Sequence, residues 1–416
     1  MYKTAGSAHT TKYATETINK QETLKQPNTM KRIFTIVALT TMALALSAQH
    51  VARTMNFEGS SRKYMEYIPT SSSDGSIPVV FLLHGLGDDC ANFVNTIHFE
   101  NVAPKWIIIT PEATNANVYG QDLGNAWAAG VGAENITYNG IPIGNIELNE
   151  GVNDEGFILA ILDTLINNYN VDTDSVFVAG FSMGGFMSNK MAVKHADRIK
   201  AIASVSGTLG HFQAFEPTGN INTMHIHGTA DQTISYANAS FSVSMFSIQV
   251  GLGAEALVDT WRNYNECGAE PIVYNFEDTK NDGLTFQQYS YKNENTGKRT
   301  VFIKVNNGSH NWYNGSSYDI DYNTEIYKFF TGKINGESGI ETNMADKFSI
   351  YPNPAANIIN VTTDGNTELA IFNATGKEIK RISTNESTTS IDISDMPNGL
   401  YFVVANGRAQ KLTIAR

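Results

Sequence analysis

The sequence predicts an α/β fold built on a mostly parallel sheet, and three observations carry the prediction. Continuous apolar runs recur at residues 78–83, 106–110, 175–179, 201–206 and 223–227. Strands that are apolar on both faces belong in a sheet covered by helices on both sides. Helical patterns alternate with these runs at 156–169, 186–195 and 254–264, and 323–330 reads as a closing helix. The run at 175–179 leads through Gly180-Phe181-Ser182-Met183-Gly184 into the helix at 186–195. Strand, tight turn and helix in that order would lift the Ser182 hydroxyl out at the carboxyl end of the sheet.

The remaining elements fall around this centre. Residues 54–57 and 63–68 read as two strands flanking the turn Glu58-Gly59-Ser60-Ser61, and Ser71 to Gly75 reads as a loop. Residues 119–150 are rich in Gly and Asn and show no clear period. They are expected as a long irregular loop over the carboxyl end of the sheet, since they follow the strand at 106–110. Residues 332–346 read as a linker. Beyond it, residues 347–416 form short alternating strands at 348–351, 358–361, 369–372, 390–393 and 401–404, and Asn406-Gly407 sets up a hairpin with 411–415. This small all-β module contains no histidine.

At the other end, Met30-Lys31-Arg32, an uncharged apolar stretch at 33–46 and Ser47-Ala48-Gln49 have the layout of a secretory signal peptide. The expected organisation is an extension outside the fold at 1–29, a signal peptide at 30–48, a catalytic domain at 49–331, the linker, and the β-module. The apolar stretch is too short to span a membrane, so no transmembrane segment is expected in the mature protein.

Composition narrows the function. Hydrophobic residues make up 42% of the 416-residue chain, enough for a packed core. A net charge of −12 without a long basic run argues against nucleic-acid binding. The two cysteines, Cys90 and Cys267, form no CxxC pair, which removes zinc and thioredoxin-type motifs. In an exported protein they are either one disulfide or two free thiols. The glycines near residue 85 are followed by no lysine, so they are not a phosphate loop. Neither a metal nor a cofactor is expected.

A serine hydroxyl attacks well only when a base takes its proton and a third group orients the base. In elbow-type enzymes the order along the chain is serine, acid, histidine. Asp231 lies just beyond the strand at 223–227, after Gly228, where an orienting acid belongs. His310 is the last histidine of the chain and sits in a loop after the strand-like 300–305. Ser182, Asp231 and His310 are thus the expected catalytic residues. His84-Gly85-Leu86 follows the strand at 78–83, which makes the backbone N–H groups of Met183 and Leu86 the expected oxyanion donors. His84 itself is expected to bond its own loop. Trp127 and Trp312 are candidates for the walls of a substrate pocket.

Leu82-Leu83-His84-Gly85, Ile109-Thr110-Pro111-Glu112-Ala113, Asn153-Asp154-Glu155-Gly156, Gly180 to Gly185, His227 to Asp231 and Gly308-Ser309-His310-Asn311-Trp312 together resemble the polyhydroxybutyrate depolymerase and feruloyl esterase-like family, a relative of carbohydrate esterase family 1. The resemblance covers residues 54–330. It implies an α/β-hydrolase fold, no cofactor and a carboxylic ester substrate, and it carries the triad over as Ser182, Asp231 and His310. Many relatives have a cysteine directly after His-Gly; here that place is Leu86, and Cys90 follows four residues later.

Ile350-Tyr351-Pro352-Asn353-Pro354, Asn398-Gly399-Leu400-Tyr401 and the terminal Lys411 to Arg416 resemble a type IX secretion sorting domain. That resemblance implies the type IX machinery as a partner, a Bacteroidota-type envelope, and a secreted or surface-attached product. A carbohydrate-binding β-module competes with it, but should show more exposed aromatics. The reading that results is an exported serine esterase acting through an acyl-enzyme on feruloyl or acetyl esters of plant polysaccharide or on hydroxyalkanoate polyesters. The alternatives are a prolyl oligopeptidase-like serine peptidase and a catalytically inactive surface-binding protein.

Overall fold

A computed structural model describes residues 49–70, 75–138, 141–243, 246–337, 349–363, 367–405 and 408–416. The expected extension and signal peptide, residues 71–74, linker residues 338–346 and the Asn406-Gly407 turn lie outside the described residues.

In chain order the first part of the protein contains β1 (His50–Phe57), β2 (Ser60–Tyr67), β3 (Ile77–Leu83), α1 (Cys90–Ile97), β4 (Ile107–Pro111), β5 (Thr114–Val118), β6 (Gln121–Ala126), β7 (Gly132–Tyr138), β8 (Ile141–Glu147) and α2 (Asp154–Asn168). It continues with β9 (Val171–Phe181), α3 (Met183–Lys194), β10 (Ala201–Val205), β11 (Asn222–Gly228), β12 (Ser240–Val243), β13 (Phe246–Gln249), α4 (Ala254–Tyr264), β14 (Ile272–Asn275), β15 (Thr285–Lys292), β16 (Arg299–Asn306) and α5 (Tyr322–Phe330). Among the described residues, ten strands form one sheet in the order β1-β2-β4-β3-β9-β10-β11-β16-β15-β14. The six central strands from β4 to β16 run parallel, and the flanking strands are antiparallel.

The apolar runs explain the layers. On β3, Val79, Phe81 and Leu83 enter a core with Phe157 of α2, Met187 of α3 and Trp261 of α4. Val80 and Leu82 point the other way, into a core with Phe93 of α1 and Phe329 of α5. Period-two alternation with both positions apolar therefore gives one sheet between two helical layers. Helix α2 follows its own rule: Phe157, Ile158, Ile161, Leu162 and Leu165 are buried, and the Asn153 side chain caps its start by accepting from the Gly156 N–H.

A buried ion pair ties this layer to the sheet. Arg62 of β2 donates to Asp154 Oδ1 at 2.7 Å and to the Glu112 carbonyl at 3.0 Å, while Asp154 Oδ2 accepts the Ala128 N–H at 2.8 Å. The guanidinium lies 4.2 Å over the Phe157 ring. One carboxylate thus joins β2, the start of α2 and the segment carrying Trp127.

Residues 119–150 are not one irregular loop. With residues 114–118 they build two hairpins, β5–β6 and β7–β8. Tyr119 and Gly120 both take positive φ at the first turn, which suits a tight hairpin. Asn115, Asn117 and Gly124 are poor strand formers, so the pairing depends on cross-strand bonds such as Asn115 to Asp122 at 2.7 Å. Helix α1 and strands β14 and β15 also lie outside the sequence expectation.

The C-terminal strands are β17 (Ser349–Tyr351), β18 (Ile358–Thr362), β19 (Thr367–Asn373), β20 (Glu378–Thr384), β21 (Thr388–Asp392), β22 (Gly399–Ala405) and β23 (Arg408–Ile414). They make a three-stranded sheet β17-β18-β21 and a four-stranded antiparallel sheet β20-β19-β22-β23. Ile359, Val361, Leu369, Ile391, Val403 and Leu412 form a core of their own. Strand β20 was hidden in the sequence because it is mostly exposed and charged.

Asp154→Ala should leave Arg62 buried and uncompensated, and chemical denaturation should show a loss of about 3–5 kcal/mol.

Candidate active site

The parallel strands β3, β9, β10, β11 and β16 end on the same side of the sheet, and each expected site residue follows one of these ends. Ser182 follows β9, at φ 52° and ψ −116°, a backbone conformation that L-residues rarely adopt. Its neighbours hold it there. The Ser182 N–H donates to the Val205 carbonyl at 2.8 Å, and the Ser182 carbonyl accepts from Gly185 at 2.8 Å. The turn closes only because side chains are missing. A Cβ at Gly180 would stand 2.1 Å from the Gly184 oxygen, and one at Gly184 would stand 2.0 Å from the Leu83 oxygen. One at Gly207 would stand 2.1 Å from the Ser182 oxygen.

Asp231 follows β11 and His310 follows β16. The two meet: His310 Nδ1 lies 2.7 Å from Asp231 Oδ2. The other carboxylate oxygen accepts the Thr233 and Ile234 N–H groups, each at 2.9 Å. Burial pushes the Asp231 pKa up, but hydrogen bonds from His227 and His310 outweigh it and hold the group well below the ordinary carboxylate range. An ionised Asp231 accepts from Nδ1, which leaves His310 Nε2 as the basic nitrogen. The Phe181 ring, one residue before Ser182, lies 4.8 Å from the His310 ring. Among the described residues no hydrogen bond joins the Ser182 hydroxyl to His310.

The loop after β3 passes beside the serine. A Cβ on Gly85 would be 3.5 Å from Ser182 Cβ. His84 fixes this loop from a fully buried position. Its Nε2 accepts the Ala113 N–H at 3.1 Å, so Nδ1 carries the proton and donates to the Gly85 carbonyl at 2.7 Å. Burial lowers the His84 pKa, in keeping with a neutral ring. The Leu86 N–H has no backbone partner among the described residues, and Met183 opens α3, where an N–H has no partner within the helix. Both expected oxyanion donors are therefore uncommitted.

The two tryptophans lie beneath the site. Trp127 is completely buried and donates from its indole to the His84 carbonyl at 2.9 Å. Trp312 is buried too, donates to Asn323 Oδ1 at 3.0 Å and meets Phe181 edge-on. They support the loop and the Phe181 ring rather than facing a ligand. Phe181 was missed as a contact residue. Its contact with His310 depends on strand ends far apart in sequence.

The disulfide alternative is corrected: Cys90 and Cys267 are both free. The Cys90 thiol donates to Glu112, just after β4, while Cys267 sits by the Lys298 carbonyl, just before β16. These are opposite ends of parallel strands five positions apart in the sheet, roughly 24 Å sideways. Burial and the Glu112 carboxylate push the Cys90 thiol up to about 12.

Residues 70–251 match the phospholipase/carboxylesterase family, and residues 349–415 match the secretion system C-terminal sorting domain. The fold is that of an α/β-hydrolase, followed by a region that matches the sorting domain. A bifunctional acetylxylan esterase/xylanase of Neocallimastix patriciarum is 24% identical over 50% of this chain and 26% of its own length. An esterase of Nocardia uniformis subsp. tsuyamanensis, described as putative, is 28% identical over 39% of this chain and 49% of its own length. Feruloyl esterase D of Neurospora crassa is 24% identical over 62% of this chain and 77% of its own length. The chain thus spans about a quarter and about a half of the first two. Among solved structures, an acetyl xylan esterase from Aspergillus awamori covers 62% of this chain and 94% of its own at 13% identity, with a TM-score of 0.42.

Within this α/β-hydrolase domain Cys90 should resist a thiol reagent at pH 8 until the protein is unfolded. The mass of the intact protein should not change on reduction.

Proposed function

We propose that this α/β-hydrolase is an exported serine esterase that cleaves acyl esters, feruloyl or acetyl groups carried on plant polysaccharide, by way of an acyl-enzyme. The observation that carries the reading is the 2.7 Å Asp231–His310 pair, set beside the strained Ser182 turn. His310 Nε2 takes the Ser182 proton as Oγ attacks the ester carbonyl. The oxyanion that forms is received by the Met183 and Leu86 N–H groups, each such donor being worth about 3 kcal/mol in the transition state. The intermediate expels the alcohol, which receives the proton from His310. Water, deprotonated by His310, then attacks the acyl group, and the acid leaves with Ser182 restored. Asp231 stays ionised throughout and stabilises the imidazolium.

The names of two relatives, an acetylxylan esterase/xylanase and a feruloyl esterase, support the substrate class. The sorting domain supports export through the type IX machinery, and residues 30–48 supply the signal peptide expected for the first membrane.

Ser182→Ala should lower kcat on methyl ferulate and p-nitrophenyl acetate by about 10⁴–10⁶-fold while circular dichroism stays unchanged. Retention of near-wild-type turnover would remove Ser182 from the mechanism. A parallel panel of acetylated xylan, polyhydroxybutyrate and a peptide amide reads the acyl specificity; preferred cleavage of the polyester or the amide would overturn the substrate class. Deletion of residues 347–416 should spare turnover and prevent surface display, read by whole-cell activity against culture medium.

A further inference from the structure

Two buried histidines behind Asp231 take no part in the acyl transfer just described. His225 and His227 alternate on β11, so both rings leave the same face of the strand. Their partners determine how many protons they hold. His225 Nδ1 lies 3.1 Å from the Ser204 carbonyl oxygen, which only accepts, so that nitrogen carries a proton. His227 Nε2 lies 2.9 Å from the Ile234 carbonyl and 3.3 Å from Asp231 Oδ2, which also only accept, so that nitrogen carries one as well. The remaining nitrogens, His225 Nε2 and His227 Nδ1, face each other at 3.1 Å. If both rings were neutral, two lone pairs would meet there in a water-poor interior. A third proton turns this clash into a hydrogen bond.

Burial and the neighbouring His227 push the His225 pKa well below its ordinary value, so His225 is the neutral member of the pair. The charged groups around them are consistent with a cation on His227. Asp231 touches its ring, and the ring of Tyr236 meets it edge-on. The Tyr236 hydroxyl is taken by Glu255, which is itself paired with Lys304 at 3.0 Å. Phe302 stacks on His225. His310 shares Asp231 Oδ2 with His227.

We propose that His227 is a buried imidazolium, protonated on both ring nitrogens at neutral pH, and that it acts as a positioning residue that holds Asp231 jointly with His310. The His227 cation partly neutralises Asp231. It therefore lowers the pH at which His310 gains a proton and keeps the base competent in more acidic surroundings. With His227 neutral, Asp231 would favour protonated His310 more strongly, and the acid limb of the pH–rate profile would move to higher pH.

Two measurements test this. In ¹⁵N-histidine spectra of the whole protein at pH 8, solvent-exposed imidazoles have lost their second proton. One ring should still show two protonated nitrogens, and that signal should vanish in His227→Gln. A spectrum in which every buried ring carries a single proton overturns the proposal. His225→Phe keeps the ring stacked on Phe302 and removes the acceptor for His227 Nδ1. It should move the acid limb of kcat/KM up by about one pH unit. His227→Gln, which still has a donor for the Ile234 carbonyl, should do the same should the first variant fail to fold. An unmoved limb in a folded variant overturns the positioning role. The kinetic arm rests on the triad proposed above and the spectroscopic arm does not. An intact doubly protonated ring in a protein whose Ser182→Ala variant keeps full turnover would reject the triad and leave the buried imidazolium standing.

Discussion

At Gly184 a side chain would stand 2.0 Å from the Leu83 carbonyl oxygen. The bare backbone there lets the first turn of α3 press against the end of β3, and this close approach governs the rest of the site. It forces the chain to leave β9 abruptly, which places Ser182 in its strained conformation. It also brings the loop after β3 alongside the serine, with Gly85 in van der Waals range. Ser182 and the loop after β3 are thus aligned by one packing contact between elements about a hundred residues apart.

The polar groups that surround this contact are fully committed, which is why they hold the geometry. His84 uses one ring nitrogen on its own loop and the other on the Ala113 N–H after β4, and Trp127 bonds the His84 carbonyl. Asp154 links the same segment to Arg62 through the Ala128 N–H. Asp231 is held by two backbone N–H groups and two imidazoles. Among the described residues, the Ser182 hydroxyl, His310 Nε2 and the N–H groups of Met183 and Leu86 are left without partners. Satisfied buried polar groups rigidify a core, and unsatisfied ones persist where a ligand completes them.

The β-module follows a different rule. Its strands β18 and β22 alternate buried with more exposed positions around a small core built largely of Ile, Val and Leu. Charge sits on its outer strand, where Arg381 pairs with Glu368 and Glu378. Such a charged edge discourages strand addition by neighbours.

Much of this was legible in the residues. Runs apolar on both faces announced the parallel strands, because burial on both sides leaves no polar position to break the run. Strand-end context and order singled out Ser182, Asp231 and His310, and the structure brings Asp231 and His310 into contact. The hairpins β5–β6 and β7–β8 were not legible, since Asn- and Gly-rich strands owe their pairing to partners rather than to propensity. The pocket reading of Trp127 failed because an indole in a glycine-rich stretch looks the same whether it faces solvent or a buried carbonyl. By itself, then, the sequence determined the layer order and singled out a serine, an acid and a histidine at strand ends, since local pattern and burial are written in neighbouring residues. Only the tertiary structure decided that Cys90 and Cys267 stay apart, that the Phe181 ring packs on His310, and that His225 and His227 stand behind Asp231. Those facts are distances between strand ends, set by sheet order and by how closely glycines let backbones approach.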